Sequence, residues 1–179
     1  IRCIELLEDR TLLTSLFQGE LLPDAALAPF DTDQSGSAVA VSGDWLVVGI
    51  PNADPAGIDN AGAVTLYTRN DSGTPDDQTD DSWDYHSTLV SPRADNTDQD
   101  LFGTSVAIEG DTLLIGAIGA DEGDTFGSAY LFRRNEQGTS SNLSDDAWDA
   151  LATLSRPVSL ANDVAEDFGL AVDLKGNTV

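Results

Sequence analysis

Methionine is absent from this 179-residue chain, and cysteine and histidine occur once each, as Cys3 and His86. One cysteine can form neither an internal disulfide nor a cysteine-based metal site. The chain also lacks an apolar run of the roughly 18 residues that a transmembrane helix needs, so no segment is predicted to enter a membrane. The missing methionine, together with a sequence repeat that stops short at the end, indicates a piece of a longer protein.

Basic residues are scarce as well. Lys and Arg number 8 against 32 Asp and Glu, which gives a formal net charge of -24. Such a field repels nucleic acid and anionic membranes, so neither is an expected partner. Two explanations remain for the acidity: a solvated surface suited to salty or extracellular conditions, or divalent-cation binding by the full-length parent.

Two long segments of the chain are copies of one another. Residues 35–67 align with residues 102–132 at a spacing of 67 residues in the first half and 65 in the second, and a third copy begins at Phe168. A fixed long period is typical of repeat architectures. The aligned pairs include Gly36 with Gly103, Val39 with Val106, Val41 with Ile108, Asp44 with Asp111, Gly62 with Gly127, Trp83 with Trp148, and Leu89 with Leu154.

Each repeat is predicted to form four short strands. In the second copy, Val106 and Ile108 alternate with smaller or polar residues, and Gly110-Asp111 suits a tight hairpin turn. The next run, Leu113–Ile115, is apolar without alternation and is therefore predicted to be buried on both faces. The third and fourth strands are predicted around Ala129–Phe132 and between Trp148 and Pro157.

A four-stranded antiparallel unit cannot bury both of its faces alone, whereas units stacked radially as propeller blades can. The predicted fold class is therefore all-β: β-propeller blades of four antiparallel strands, about 65 residues per repeat, with two blades and the start of a third. The predicted boundaries are residues 1–29 for a leader or linker with a short helix, 30–92 for the first repeat, 93–157 for the second, and 158–179 for a truncated third.

The repeats resemble the FG-GAP family, which includes the propeller repeats of integrin α-chains. The resemblance rests on Phe102-Gly103, Val106–Ile108, Leu114–Ala117 and Gly127–Phe132. It implies an extracellular or cell-surface module that binds a protein or glycan and takes part in adhesion without catalysis. In the calcium-binding repeats of that family the first hairpin is long and rich in Asp.

The hairpins here are short, so no calcium and no other cofactor is expected in these blades, and calcium is left to other repeats of a longer parent. Asp44 and Asp111 are predicted to serve the turns themselves. A weak metal candidate is the Ca²⁺-loop-like start formed by Asp31, Asp33 and Ser35, but no carboxylate closes that loop at its twelfth position.

The connections between the second and third strands are predicted to lie on one rim of the propeller, where ligands commonly dock. The candidate ligand residues there are Asn52, Asp54, Asp121 and Asp124. The alternative is a plain solvent-facing connection. The expected ligand is a protein or a glycan.

Residues 7–13 (LEDRTLL) resemble a short element near the N-terminus of exported planctomycete surface proteins. The resemblance implies an extracellular or cell-surface location and an export segment upstream of Ile1.

No catalytic constellation is evident. His86 has Leu151 at the corresponding position of the second copy, so it is not part of the repeat, and a partly buried strand residue is the favoured interpretation. Nucleophile-elbow, phosphate-loop and zinc-ligand spacings are all absent. The alternatives to a binding module are a purely structural repeat of a large surface protein and the non-catalytic part of a propeller hydrolase.

Overall fold

The computed structural model describes residues 21, 33–74, 76–77, 80–93, 99–120, 127–138, 142–155 and 167–176. The predicted N-terminal helix and the planctomycete-like element therefore lie outside the described residues. The described chain contains two short 3-10 turns, Pro55–Gly57 and Leu143–Asp145, and eight β-strands.

The strands form two four-stranded antiparallel sheets. The first contains β1 (Ala38–Ser42), β2 (Trp45–Ile50), β3 (Ala63–Asn70) and β4 (Ser82–Val90). The second contains β5 (Phe102–Glu109), β6 (Thr112–Ala117), β7 (Ser128–Asn135) and β8 (Ala147–Ser155). In both sheets the spatial order follows the chain order. The all-β prediction is confirmed, and the two sheets are consistent with two blades of an incomplete propeller.

The second strand of each sheet lies in the interior. Every residue of β2 and every residue of β6 after Thr112 is buried, as the unbroken apolar runs predict. Tight turns lead into both strands, and the glycines there adopt the positive φ that the turns require, 58° at Gly43 and 55° at Gly110. These turns and runs explain why each repeat folds locally into a hairpin that a third and a fourth strand extend.

A β-bulge recurs at the same place in both sheets. Leu66 pairs with Ser87 and Tyr67 with Tyr85, so that His86 is the extra residue on β4. In the second sheet Leu131 pairs with Ala152 and Phe132 with Ala150, which leaves Leu151 as the extra residue on β8. A bulge redirects the side chain of the extra residue, so His86 and Leu151 occupy equivalent special positions.

The interface between the two sheets, called the seam below, holds the largest core cluster. It joins one face of β2 and β3 to the facing side of the second sheet. Its buried members are Trp45, Val47, Val64, Leu66, Phe102, Ile108, Leu113, Ile115, Ala117, Ala120, Tyr130, Phe132 and Trp148. The largest core cluster is therefore shared by the two blades, and two smaller clusters lie within the first blade: Ile50 with Ala53 and Ala63, and Leu46 with Val48 and Tyr67.

Glycines allow each repeat to lock onto the preceding blade. The start of β5 lies so close to the first sheet that a Cβ atom on Gly49 would be 2.1 Å from the carbonyl oxygen of Gly103. Gly62 forms a parallel bridge with Phe102, and a Cβ on Gly62 would be 2.3 Å from the Phe102 oxygen. Only glycine leaves room for this approach. The contact between the blades therefore requires both the Phe-Gly pair of one repeat and the glycines of the preceding repeat.

The third repeat begins in the same way. Gly127 forms a parallel bridge with Phe168, and a Cβ on Gly116 would be 1.9 Å from the oxygen of Gly169. The hydroxyl of Ser105 also donates a hydrogen bond to that oxygen, at 2.6 Å. The locking geometry is therefore a property of the repeat.

The outer face of β1 differs from the corresponding face of β5. Val39 and Val41 are each 58% exposed, whereas Ile108, the counterpart of Val41, is 9% exposed in the seam. The difference arises because the first blade covers β5, while no described residue covers the outer face of β1.

Candidate functional site

The two ends of the sheets carry different connections. The upper rim is defined here as the end with the β2–β3 connection (residues 51–62) and the described parts of the β4–β5 connection (91–93 and 99–101). The lower rim is the end with the β1–β2 turn and the β3–β4 connection (71–81). Of the predicted ligand residues, Asn52 and Asp54 belong to the upper rim.

The upper-rim loop of the first blade is held by its own side chains. The Asp54 carboxylate accepts a hydrogen bond of 2.7 Å from the backbone amide of Asn60. Asn52 is half-buried, and its backbone amide donates to the backbone carbonyl of Asp33 at 3.2 Å. Asp54 therefore braces the loop, which leaves Ala56, Gly57 and Asp59 as the exposed tip. Asp121 and Asp124 lie outside the described residues.

The same loop is also fastened to the next repeat. The amides of Gln99, Leu101 and Phe102 donate to three consecutive carbonyls of the loop, at 2.8, 3.1 and 3.0 Å. The accepting carbonyls belong to Asp59, Asn60 and Ala61. The loop is thus fixed at its base by the following repeat, and its exposed tip is presented from a rigid support.

A buried ion pair lies beneath this rim. Arg93, after β4, places Nη1 3.8 Å from Oδ1 of Asp100, just before β5. The Arg93 side chain is 7% exposed and that of Asp100 is 0% exposed, so the pair ties the end of one blade to the start of the next with little contact with solvent. In a buried pair the cost of desolvation offsets much of the charge attraction. The main effect of this pair is therefore to fix the two chain segments relative to each other.

The residues of the weak metal candidate have different surroundings in the structure. Asp33 is buried and Ser35 is exposed, while Asp31 lies outside the described residues. Within the described ranges, no group of three or more His, Cys, Asp or Glu side chains is placed to hold a metal ion.

The lower rim carries an ion-pair network in the first blade that the sequence did not predict. Nε and Nη2 of Arg69, near the end of β3, contact Oδ1 of Asp44 in the β1–β2 turn, both at 2.7 Å. Nη1 reaches Asp81 before β4 at 3.2 Å. The arginine therefore links two connections of the blade, and Asp44 does more than shape its turn.

The second blade repeats the network with an additional acid. Arg134 contacts Asp111 through Nε at 2.8 Å, Asp146 through Nη1 at 3.0 Å, and Glu136 through Nη2 at 3.3 Å. Burial lowers the pKa of Arg134, but the hydrogen bonds to Asp111 and Asp146 outweigh this and raise it above its ordinary value. Arg69 and Arg134 align at the spacing of 65 residues, which is the signal that could have revealed both networks.

His86 is placed in the seam. Its Nδ1 lies 2.8 Å from the Ser87 hydroxyl, and its ring meets the Trp45 ring edge-on, with centroids 4.8 Å apart. A Ser–His contact is one requirement of a nucleophilic site. Here the other imidazole nitrogen is buried, and neither residue lines the open clefts found on the second blade. As predicted, His86 is a partly buried strand residue.

Comparison with known proteins supports the repeat assignment. The family model described as FG-GAP repeat matches residues 29–67 and 83–132, which contain most of both sheets. No curated protein matches the chain. In the described part of the chain, no helix has the length and apolar character needed to cross a membrane. The matched repeats, their four-stranded sheets and the Phe-Gly contacts between blades agree, and the chain is an FG-GAP repeat protein.

Proposed function

We propose that the chain is a non-catalytic propeller segment of an extracellular or cell-surface protein, and that its upper rim binds a protein or glycan ligand. The observation that carries the proposal is the fixation of the loop at residues 51–62. The Asp54 carboxylate accepts a hydrogen bond from another residue of this loop, and three backbone amides of the next repeat donate hydrogen bonds to carbonyls of the loop. A loop fixed in advance loses little conformational freedom on binding, which favours affinity.

The net charge of the chain limits the classes of ligand that it can bind. A net charge of -24 disfavours acidic polysaccharides, favours basic protein surfaces and does not oppose the binding of neutral glycans. At the tip of the loop, Asp59 offers an exposed carboxylate beside half-exposed Ile58, a pairing suited to a polar ligand with an apolar edge. The extracellular location is supported by the FG-GAP repeats and by the resemblance of residues 7–13 to an element of exported proteins.

Direct binding measurements test the proposal. The chain is passed over immobilised neutral polysaccharides, acidic polysaccharides and basic extracellular proteins, and the response is compared with that of two variants. D59A removes the carboxylate of the upper-rim tip, whereas D76A removes an exposed carboxylate from the lower rim. We expect binding to a neutral or basic ligand that D59A weakens about tenfold, the effect of one lost charged hydrogen bond, and that D76A leaves unchanged.

Three outcomes would contradict the proposal. Binding to no member of the panel would favour a purely structural repeat. Equal loss in D59A and D76A would place the interaction outside the upper rim. Release of sugar from a bound polysaccharide would indicate a hydrolase and overturn the non-catalytic assignment.

A further inference from the structure

The bulge residue of β4 brings the one histidine of the chain into the seam. The extra residue of this bulge is His86 in the first sheet and Leu151 in the second. Leu151 is 60% exposed because no described strand covers it, whereas His86 is partly buried against the second blade. The same position in the repeat thus faces the next blade and contains a titratable group only in the first copy.

Aromatic rings surround the imidazole. Trp45, at the start of β2, meets His86 edge-on at 4.8 Å and also meets Trp148 of the second blade edge-on at 5.4 Å. Both indole rings are nearly inaccessible to solvent, and they lie in the shared core. The imidazole therefore lies next to the apolar contact that holds the two blades together, and a charge on it would be poorly solvated.

Few polar groups of the described residues lie near His86. On its own strand, Ser87 shares a hydrogen bond with Nδ1 at 2.8 Å. From the second blade, the Leu143 carbonyl and the Asp146 carboxylate act on the imidazole and favour its charged form. Asp146 is itself engaged by Arg134 at 3.0 Å, which limits how much of its charge is available to a second cation. Nε2 is buried and has no hydrogen bond of ordinary geometry among the described residues.

We propose that His86 makes the seam between the two blades sensitive to mild acid, so that the seam is intact at neutral pH and weakened when the imidazole takes up a proton. Desolvation opposes protonation in the folded chain, while the unfolded chain takes up the proton freely. This inference does not depend on the proposed ligand, because it concerns the seam and not the upper rim.

The direction of the effect follows from linkage. Burial lowers the pKa of His86 below 6.5, and the Leu143 carbonyl and Asp146 offset this only in part. A histidine with a lowered folded-state pKa contributes no pH dependence above about 6.5. As the pH falls from there toward the folded-state value, the unfolded chain binds the proton first and stability is lost.

Because His86 is the only histidine, proton NMR can follow its titration in the full chain without assignment of other imidazoles. We expect a pKa below 6.5 in the folded protein. In parallel, denaturant unfolding is measured at about pH 7.5 and pH 5 for the wild type and for H86L, which carries the residue of the second copy. At pH 5 the unfolding constant of the wild type should rise relative to H86L, by about eightfold for a folded-state pKa one unit below 6.5 and by up to about thirtyfold for a larger shift.

The comparison with H86L removes the titration of the carboxylates, which is common to both proteins. A His86 pKa at or above 6.5 in the folded wild type would overturn the proposal. Equal acid sensitivity of wild type and H86L would also overturn it. The NMR titration of the wild type decides the matter even if H86L fails to fold.

Discussion

At the scale of single residues, the seam depends on glycines that have no room for a side chain. Gly49 is the clearest case, since its φ is not positive and the close approach of Gly103 is the whole constraint. Its counterpart Gly116 meets Gly169 in the same way, so the requirement repeats with the sequence. The signature glycines of this family are thus explained by contact between successive blades.

The variant G49A tests this explanation. A Cβ at this position would lie 2.1 Å from the Gly103 oxygen, so the backbone of one blade must shift. We expect a loss of about 1–3 kcal/mol in the free energy of unfolding, the usual cost of overpacking, measured by urea denaturation. G43N is the control, because Gly43 has open space around it and Asn tolerates positive φ. Similar losses in both variants would refute a steric role for Gly49.

The arginine of the lower rim offers a second test. In R134Q the Asp146 carboxylate, whose side chain is 1% exposed, loses its cation. We expect the free energy of unfolding to fall by about 2 kcal/mol, as for a lost hydrogen bond to a charged group. The neighbouring exposed Arg133 provides a matched control, and R133Q should change stability by less than about 0.5 kcal/mol. A neutral R134Q would show that the network contributes nothing to folding.

At the scale of elements, β1 and β5 are copies in different surroundings. Val106 packs against the shared core, whereas Val39, its counterpart, is mostly exposed. The same substitution at the two positions should therefore differ in cost. We expect V106A to lose about 1–2 kcal/mol, from roughly 0.8 kcal/mol per buried methyl group, and V39A to lose less than about 0.5 kcal/mol. Thermal unfolding monitored by circular dichroism measures both, and a cost for V39A equal to that of V106A would mean that β1 is covered in solution.

The strands and turns could be predicted from the sequence because their causes are local. Apolar runs such as Leu113–Ile115 and turns such as Gly110-Asp111 determine their own conformation. The arginine networks depend on contacts between distant connections, and with 32 acidic residues the partners of Arg69 and Arg134 could not be chosen by type alone. The seam position of His86 depends on a bulge, which leaves no mark in the residue pattern.

For the candidate ligand residues too, some features follow from the local sequence and others depend on the folded chain. Placement of Asn52 and Asp54 in the connection after β2 follows from strand order, and the structure places them there. That the Asp54 carboxylate binds the amide of Asn60 could not be predicted, because it depends on the path of the loop. The exposed tip at Asp59 was missed for the same reason, since exposure within a loop is not encoded by residue type.

At the scale of the whole molecule, the two sheets share the largest core cluster. Backbone hydrogen bonds of the upper rim also join one blade to the next. Such a unit should unfold cooperatively, because each blade exposes the face that it buries in the seam when the other is lost. Among the described residues the buried carboxylates are those of Asp33, Asp100 and Asp146, and the last two are paired with Arg93 and Arg134.

The central claim is that each repeat locks onto the blade before it, and amide hydrogen exchange at Phe102 tests that claim most directly. This amide donates to the carbonyl of Ala61 at 3.0 Å, across the boundary between repeats. We predict that it exchanges as slowly as the amides of β6, through global unfolding only. Exchange of the Phe102 amide at the rate of an unprotected amide, with β6 still protected, would show that the blades are not locked and would contradict the account.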